Sequence, residues 1–320
     1  TNSWTSAAQA TLLALGIGQG DEVIIPSLTF VATANAIESV GAKPVLVDVD
    51  PETKLMDIEQ ARSAVTIRTR AIMPVHLYGQ MVDMVALRSA IYGSIPIIED
   101  AAHAIEGRRD GYAPGQRSDA AMFSFYNSKN LTTGEGGAMV TNNDGLLTTG
   151  EGGAMVTNND GLLDRFTTIY RHGIDLDGFK RHVSDDLLIP EAVSRGLKGN
   201  MPDLLAFLLA PQIDDIPNSH AKRMANAEKY LTALDGIGLE FPQTGEGVTH
   251  AWHIFAAGID AGKRSSLLRE LDKRGIRTTV QFKPVHCMRY YSEKYGYQPS
   301  DYPHSRAWGE KVFSLPVFSD

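Results

Sequence analysis

Two short stretches of this sequence decide the fold. Residues 123–137 read FSFYNSKNLTTGEGG, and residues 94–103 read SIPIIEDAAH. Each begins with apolar residues bounded by turn formers, a pattern that predicts a short buried strand. The first stretch then reaches Lys129 on a Ser- and Gly-rich turn, and the second ends its apolar run at Asp100. Ligands of parallel sheets bind at the carboxyl ends of the strands, so we expect these two residues to share a site.

The chemistry of this pair indicates a particular cofactor. A lysine amine can form a Schiff base with an aldehyde, and a carboxylate can keep a pyridine nitrogen protonated. Pyridoxal 5'-phosphate (PLP) requires both groups. Taken singly, Lys129 would be a solvated surface lysine and Asp100 a helix cap. Together they predict a PLP site in which Lys129 is the catalytic residue.

Strand and helix signals alternate along the first two-thirds of the chain. This alternation predicts an α/β fold with a mostly parallel sheet covered by helices on both faces. Apolar strand signals lie at 22–26, 44–49, 71–76, 95–98 and 121–125, with helical signals at 31–40 and 84–91. The last third mixes helical patterns at 204–209, 221–234 and 265–274 with strand patterns at 252–255 and 276–282. We therefore expect a large domain over residues 1–215 and a smaller α+β domain over 216–320.

The runs around Asp100 and Lys129 resemble the DegT/DnrJ/EryC1/StrS family, and the resemblance covers nearly the whole chain. This family consists of PLP-dependent aminotransferases that aminate keto sugars carried on nucleotides. The resemblance implies the fold-type I PLP transferase fold, with a seven-stranded type of sheet, and glutamate as the amino donor. It also implies a role in amino-sugar and surface polysaccharide biosynthesis. The segments 250–255 and 290–295 favour members that aminate carbon 4 of UDP-linked sugars.

The resemblance assigns three residues to the cofactor ring. Asp100 takes the position next to the pyridine nitrogen, and His103 lies near the phenolic oxygen. Phe30 matches the aromatic residue that stacks on the ring. Without the family motif, His103 would be read as a buried hydrogen-bonding histidine and Phe30 as a core residue.

Another set of residues is assigned to the cofactor phosphate. Thr5 and Ser6 lie where a polar turn opens a helix, which favours an anion, and Ser124 approaches from the other side. Asn200 matches a position that reaches the phosphate of a neighbouring subunit, which implies a homodimer with shared active sites. Trp4 departs from the family pattern, because glycine is usual there, and a bulky side chain is expected to disturb the phosphate turn.

Composition narrows the function further. The chain has 320 residues, a net charge of −8 and one cysteine, Cys287. The absence of a basic run argues against nucleic acid as a partner. No apolar stretch reaches the length of a membrane span, and the single cysteine fits a reducing cytoplasm. No histidine or acidic pair has the spacing of metal ligands, so no metal is expected.

One sequence feature does not fit an ordinary enzyme. Residues 132–147 read TTGEGGAMVTNNDGLL, and residues 148–163 repeat them without a change. Family members carry one copy, so a recent tandem duplication or an assembly artefact is the expected origin. The resemblance also implies an N-terminal segment and a final helix, which we expect this sequence to lack.

Alternatives remain open from sequence alone. A PLP-dependent sugar dehydratase of the same family carries histidine in place of the lysine, so Lys129 argues against it. A non-catalytic PLP-fold protein is the alternative from another class, and Trp4 and the duplication favour it. A plain nucleotide-binding domain would leave the spacing of Asp100 and Lys129 unexplained.

Overall fold

The computed structural model describes residues 1–133, 137–140, 160–174 and 191–318. The apolar runs form strands, as the sequence predicts. The strands are β1 (Glu22–Pro26), β2 (Lys43–Val47), β3 (Thr69–Ile72), β4 (Ile98–Asp100), β5 (Arg108–Arg109), β6 (Ala120–Ser124), β7 (Gly137–Val140), β8 (Val248–Thr249), β9 (Phe255–Gly258) and β10 (Val312–Leu315).

The main sheet is mostly parallel. Strands β2, β1 and β3 pair in parallel in that order, as do β4 and β6, whereas β7 joins β6 antiparallel. Two parallel bridges, Ile72 to Ile97 and Val75 to Asp100, connect β3 to β4. The six described strands therefore follow the order β2–β1–β3–β4–β6–β7. All residues of β1 are buried, because a parallel sheet is covered on both faces.

Helices separate these strands. They are α1 (Trp4–Ala14), α2 (Val31–Ser39), α3 (Ile58–Ser63), α4 (Met84–Ala90), α5 (Asp160–Tyr170), α6 (Asp203–Asp214), α7 (Ile216–Ala233), α8 (Ala261–Lys273), α9 (Arg289–Tyr295) and α10 (Pro303–Lys311). Side chains of Ser3, Asp57 and Asp83 cap the first turns of α1, α3 and α4 by accepting a hydrogen bond from the backbone.

Two strand predictions for the last third are wrong. Residues 252–254 are not extended, because Trp252 has a φ of 47°, and the strand begins only at Phe255. Residues 276–282 form no strand, and Thr279 alone makes a bridge, to Ser314 of β10. The following residues Gln281 and Phe282 turn toward a cavity instead of continuing along β10.

The hydrophobic core joins both halves of the chain. Val285 and Tyr291 pack in one buried cluster with α1 and α2, and Trp308 and Val312 pack in another with β3 and α4. Strand β5 also pairs with β8. The domain boundary near residue 216 stays a prediction, with the turn between α6 and α7 lying at that point.

The duplicated segment lies mostly outside the described residues. Its first copy supplies β7, and the second copy supplies the start of α5, where Leu162 is buried. No helix in the described part of the chain has the length and apolar character needed to cross a membrane.

Candidate active site

A cavity of about 450 Å³ lies at the carboxyl ends of β4 and β6. This is the edge where ligands of parallel sheets bind. Lys129 and Asp100 both line it, so the structure brings together the two residues that the sequence predicted to share a site. Other residues that line the cavity are Ser3, Trp4, Thr5, Phe30, Thr33, His103, Ser124, His253, Gln281 and Phe282.

Lys129 follows β6 in a tight turn, where its backbone N–H donates to the carbonyl of Tyr126 at 2.8 Å. Burial lowers the pKa of its amine to about 8, and the Asp100 carboxylate works against this shift. About a tenth of the amine is therefore neutral at pH 7 and about half at pH 8. A neutral amine is the form that attacks a carbonyl carbon.

Asp100 ends β4 with its carboxylate almost completely buried. The hydroxyl of Thr33 donates to Oδ2 at 2.9 Å, and the backbone N–H of Ala102 donates to Oδ1 at 3.2 Å. Burial nevertheless raises the pKa of this carboxyl above its ordinary value, although Lys129 and His76 lower it. A buried carboxylate in this condition gains from a cationic N–H partner in the cavity.

His103 is fixed in one tautomer at the cavity wall. Its Nδ1 accepts a hydrogen bond from the backbone N–H of Tyr78 at 3.2 Å, so Nε2 carries the proton of the neutral ring. Burial holds the pKa of the imidazole well below its usual range, and Lys129 and His253 add to this effect. His103 is therefore a neutral hydrogen-bond donor.

Aromatic rings form part of the same wall. Phe282 stacks on His103 with centroids 5.9 Å apart and lies 5.6 Å from Phe30. Phe30 itself is 54% exposed, and it lines the cavity. A half-exposed phenyl ring at the rim leaves a face available for stacking on a planar ligand.

The amino-terminal end of α1 supplies anion-binding groups. The first backbone N–H groups of a helix have no acceptor within it, and here Trp4 and Thr5 occupy these positions. Thr5, Ser3 and Ser124 line the cavity around this end. Ser6 does not line it, because its hydroxyl donates to Asn2 Oδ1 at 2.5 Å inside the turn. Ser3, which the sequence prediction did not select, takes that place.

The Trp4 side chain is accommodated by the fold. It is 6% exposed and packs in the cluster formed by α1 and α2, and Ser3 still caps the helix. Its indole Nε1 is buried and has no hydrogen-bond partner among the described residues.

Asn200 does not line this cavity. Its neighbours contact the start of the chain: the backbone N–H of Asn2 donates to the carbonyl of Gly199 at 2.7 Å. The predicted reach of Asn200 into a neighbouring subunit stays a prediction.

These residues fit PLP. Asp100 offers a buried carboxylate for the pyridine nitrogen, His103 a donor for the phenolic oxygen, and Lys129 an amine for the aldehyde. The amino-terminal end of α1 with Thr5 and Ser124 suits the phosphate. The described residues include no group of three or more His, Cys, Asp or Glu side chains that could hold a metal ion.

His253 and Phe282 are site residues that sequence reasoning did not assign. The sequence places His253 only within the segment 250–255 and Phe282 only at the end of the predicted strand 276–282. Their place in the cavity depends on packing between residues more than 120 positions apart, for example His253 with Lys129. No local pattern in the sequence carries such information.

The fold and this cavity define a fold-type I PLP-dependent aminotransferase. The model of the DegT/DnrJ/EryC1/StrS aminotransferase family matches residues 1–147 and 145–320, two ranges that meet at the end of the first repeat copy. The chain is 36% identical over 324 residues to the spore coat polysaccharide biosynthesis protein SpsC of Bacillus subtilis. That alignment covers 99% of this chain and 79% of SpsC.

Solved structures of aminotransferases are also similar to this chain. Spr1654 of Streptococcus pneumoniae, described as a sugar aminotransferase, is 28% identical and covers 99% of this chain. Its PMP form superposes with a TM-score of 0.87 over 82% of that chain, and its PLP form with 0.86 over 81%. An aminotransferase of the same family from Brucella abortus gives a TM-score of 0.81 at 28% identity, over 99% of this chain and 80% of its own.

This chain therefore belongs to the DegT/DnrJ/EryC1/StrS aminotransferase family and is a PLP-dependent sugar aminotransferase. The fold, the family and the cofactor predicted from the sequence are confirmed. The roles of the individual site residues stay predictions.

Proposed function

We propose that this chain transfers an amino group from glutamate to a keto sugar carried on a nucleotide, with Lys129 as the catalytic residue. The observation that carries this proposal is the placement of a lysine with a lowered pKa and a buried carboxylate in one cavity. We take a UDP-linked 4-keto sugar as the first acceptor to test. The lone cysteine fits a cytoplasmic reaction.

Bound PLP would supply an electron sink for cleavage of a C–H bond next to nitrogen. The residues of the chain have separate tasks around it. The Asp100 carboxylate would keep the pyridine nitrogen protonated, and the neutral His103 would donate to the phenolic oxygen. Lys129 in its neutral form would take a proton from the donor carbon and return one to the sugar carbon.

A second cavity supports a phosphorylated acceptor. It has a volume of about 340 Å³ and shares Lys129 and His253 with the first cavity. The exposed Arg277 lies in its wall, 2.9 Å from Asp272, and Arg223 lies there as the partner of the buried Glu106. The exposed guanidinium of Arg277 favours the phosphate groups of a nucleotide-linked sugar.

The first experiment is an absorption spectrum of the purified chain with PLP, before and after glutamate. We expect a visible band of lysine-bound PLP that glutamate converts to the pyridoxamine form. Adding a UDP-linked 4-keto sugar should then restore the band. A band that glutamate leaves unchanged rules out this donor, and a panel of nucleotide sugars then tests the acceptor separately.

Two variants test the assigned residues. Lys129→Ala should lose the lysine-bound band while PLP still binds non-covalently. Asp100→Asn should keep the band and lower the turnover rate by at least about a hundredfold, because the electron sink loses its charged partner. Equal turnover of Asp100→Asn and the unchanged chain would contradict the role of Asp100.

We also propose that the active unit is a homodimer whose subunits share active sites. Helix α6 exposes apolar side chains, with Phe207 75% and Ile213 50% exposed, and a second copy would cover them. The double variant Phe207→Ser with Ile213→Ser should shift the mass measured by light scattering from dimer to monomer. A monomeric mass for the unchanged chain contradicts the proposal.

A further inference from the structure

A chain of hydrogen bonds leads from the protein interior to Lys129. The Arg223 guanidinium pairs with the carboxylate of Glu106, and both side chains are buried. Glu106 accepts a hydrogen bond from Asn130 Nδ2 at 2.6 Å. Asn130 Oδ1 lies 2.9 Å from His253 Nδ1, and His253 Nε2 lies 3.5 Å from Lys129 Nζ.

The direction of these hydrogen bonds follows from the groups involved. The Asn130 amide nitrogen faces two pure acceptors, the Glu106 carboxylate and the Ala251 carbonyl at 3.3 Å. Its amide oxygen therefore faces His253 and must accept from Nδ1–H. With the proton on Nδ1, the Nε2 atom of the neutral ring is an acceptor directed at Lys129.

The His253 ring is kept neutral and in place. Burial holds the pKa of the imidazole well below its usual range, and the charges of Lys129 and Arg223 add to this effect. The ring packs at 4.5 Å from His103. The preceding backbone is held at Ala251, whose N–H donates to the Gly79 carbonyl at 2.8 Å.

Gly79 makes this approach feasible. Its φ of +110° lies in a region that residues with side chains rarely adopt, and an added Cβ would lie 2.9 Å from the backbone nitrogen of Trp252. The segment bearing His253 therefore comes close to the cavity only because glycine stands at residue 79.

We propose that His253 is a positioning residue for Lys129: its Nε2, fixed as an acceptor by Asn130, Glu106 and Arg223, takes one N–H of the amine and aims the amine into the cavity. The inference rests on the role of Lys129 in the proposed function. A lysine side chain has many rotamers, and one acceptor with a fixed direction restricts them. Small misplacements of a reacting group cost large factors in rate.

The test uses the cofactor-free chain, in which the pKa of Lys129 can be measured directly. The rate of acylation of Lys129 by acetic anhydride is followed from pH 6 to 11 by peptide mass spectrometry. The ionisable groups that face the amine are Asp100, His103 and His253. A midpoint near 8 is expected for the unchanged chain.

His253→Phe and His253→Gln form a matched pair. Phenylalanine keeps a ring beside His103 and removes the acceptor, so the ammonium form loses a hydrogen bond and the midpoint should fall by about one pH unit. Glutamine offers one acceptor and one donor, so it can bond both Lys129 and Asn130. It should restore the midpoint to near that of the unchanged chain.

Two outcomes overturn the inference: a midpoint that is the same in all three chains, or an equal shift in both variants. Melting temperatures equal to that of the unchanged chain would show that the variants are folded, so that a shifted midpoint reports the lost contact with Lys129. Borohydride reduction with PLP, followed by peptide mapping, asks independently whether Lys129 is the residue that binds PLP. Labelling at another lysine would contradict the proposed function, whereas the acylation midpoints would still test the contact with His253.

Discussion

The charges of Lys129 and Asp100 counteract the effect that burial has on the pKa of each group. Burial lowers the pKa of the amine and raises the pKa of the carboxyl, so each group alone tends toward its neutral form. The charge of each partner works in the opposite direction. The result is a lysine that titrates near the pH at which the enzyme is expected to work, so it is able both to give and to take a proton.

This balance predicts a pH dependence for the attachment of PLP. Because the pKa of the amine is lowered to about 8, the neutral form prevails above that pH and falls to roughly one hundredth at pH 6. The rate of formation of the lysine-bound band should therefore rise with pH and level off above about 8. PLP with N-acetyl-lysine methyl ester serves as a control for the ionisations of PLP itself. A plateau reached only near pH 10.5 would mean that the amine is not buried.

Arg223 and Glu106 form a buried ion pair behind the site. Glu106→Gln leaves the guanidinium without a compensating charge, so the free energy of unfolding should fall by about 3 kcal/mol or more. Replacing both residues, by Arg223→Met with Glu106→Gln, removes the buried charge and should cost less than Glu106→Gln alone. Urea unfolding of the three chains measures both values. A double variant that is less stable than Glu106→Gln contradicts this account.

At the scale of single elements, helix α1 combines two tasks. Its amino-terminal end faces the cavity, and its other residues are almost all buried against α2 and α5. Trp4 belongs to both regions, since it lines the cavity and packs in the core. Trp4 therefore acts as a core residue at a position where the resemblance to the family predicts glycine.

Truncating Trp4 should therefore destabilise the chain. Trp4→Ala leaves a cavity and should lower the free energy of unfolding by about 3 kcal/mol. Trp4→Phe keeps most of the apolar contact and removes an indole N–H that has no partner among the described residues. It should change the stability by less than about 1 kcal/mol, because the two effects offset each other. Denaturant unfolding distinguishes the two variants, and an equal loss in both would mean that a phenyl ring does not keep the apolar contact of the indole.

The sequence predicted those elements whose signals are local. Strand β1 and helix α2 appear close to their predicted bounds, because apolar periodicity and turn residues define them. The predicted strand at 276–282 failed because its apolar residues do not pack as a sheet face: Ile276 and Val280 are 37% and 41% exposed. The contact of His253 with Lys129 could not be predicted, since it depends on how Gly79 lets two distant segments meet.

At the scale of the whole molecule, two described elements draw on the duplicated segment. Strand β7 takes residues 137–140 from the first copy, and α5 takes Asp160 to Leu163 from the second. The corresponding residues of the first copy, 144–147, have the same sequence DGLL. One copy therefore contains every residue type that these two elements need.

Deleting residues 148–163 should consequently leave a folded chain that binds PLP. After the deletion Leu147 precedes Asp164, so the start of α5 regains the residues it has now, including the leucine that is buried at position 162. A shorter connection between β7 and α5 also costs less entropy to close, by roughly 1.5 kcal/mol if this cost depends on the logarithm of loop length. Melting temperature and the intensity of the lysine-bound band should be equal to or higher than those of the full chain. A lower melting temperature together with a weaker band would mean that the second copy makes contacts that the first copy cannot replace. The duplicated segment would then be needed for the folded, PLP-binding chain.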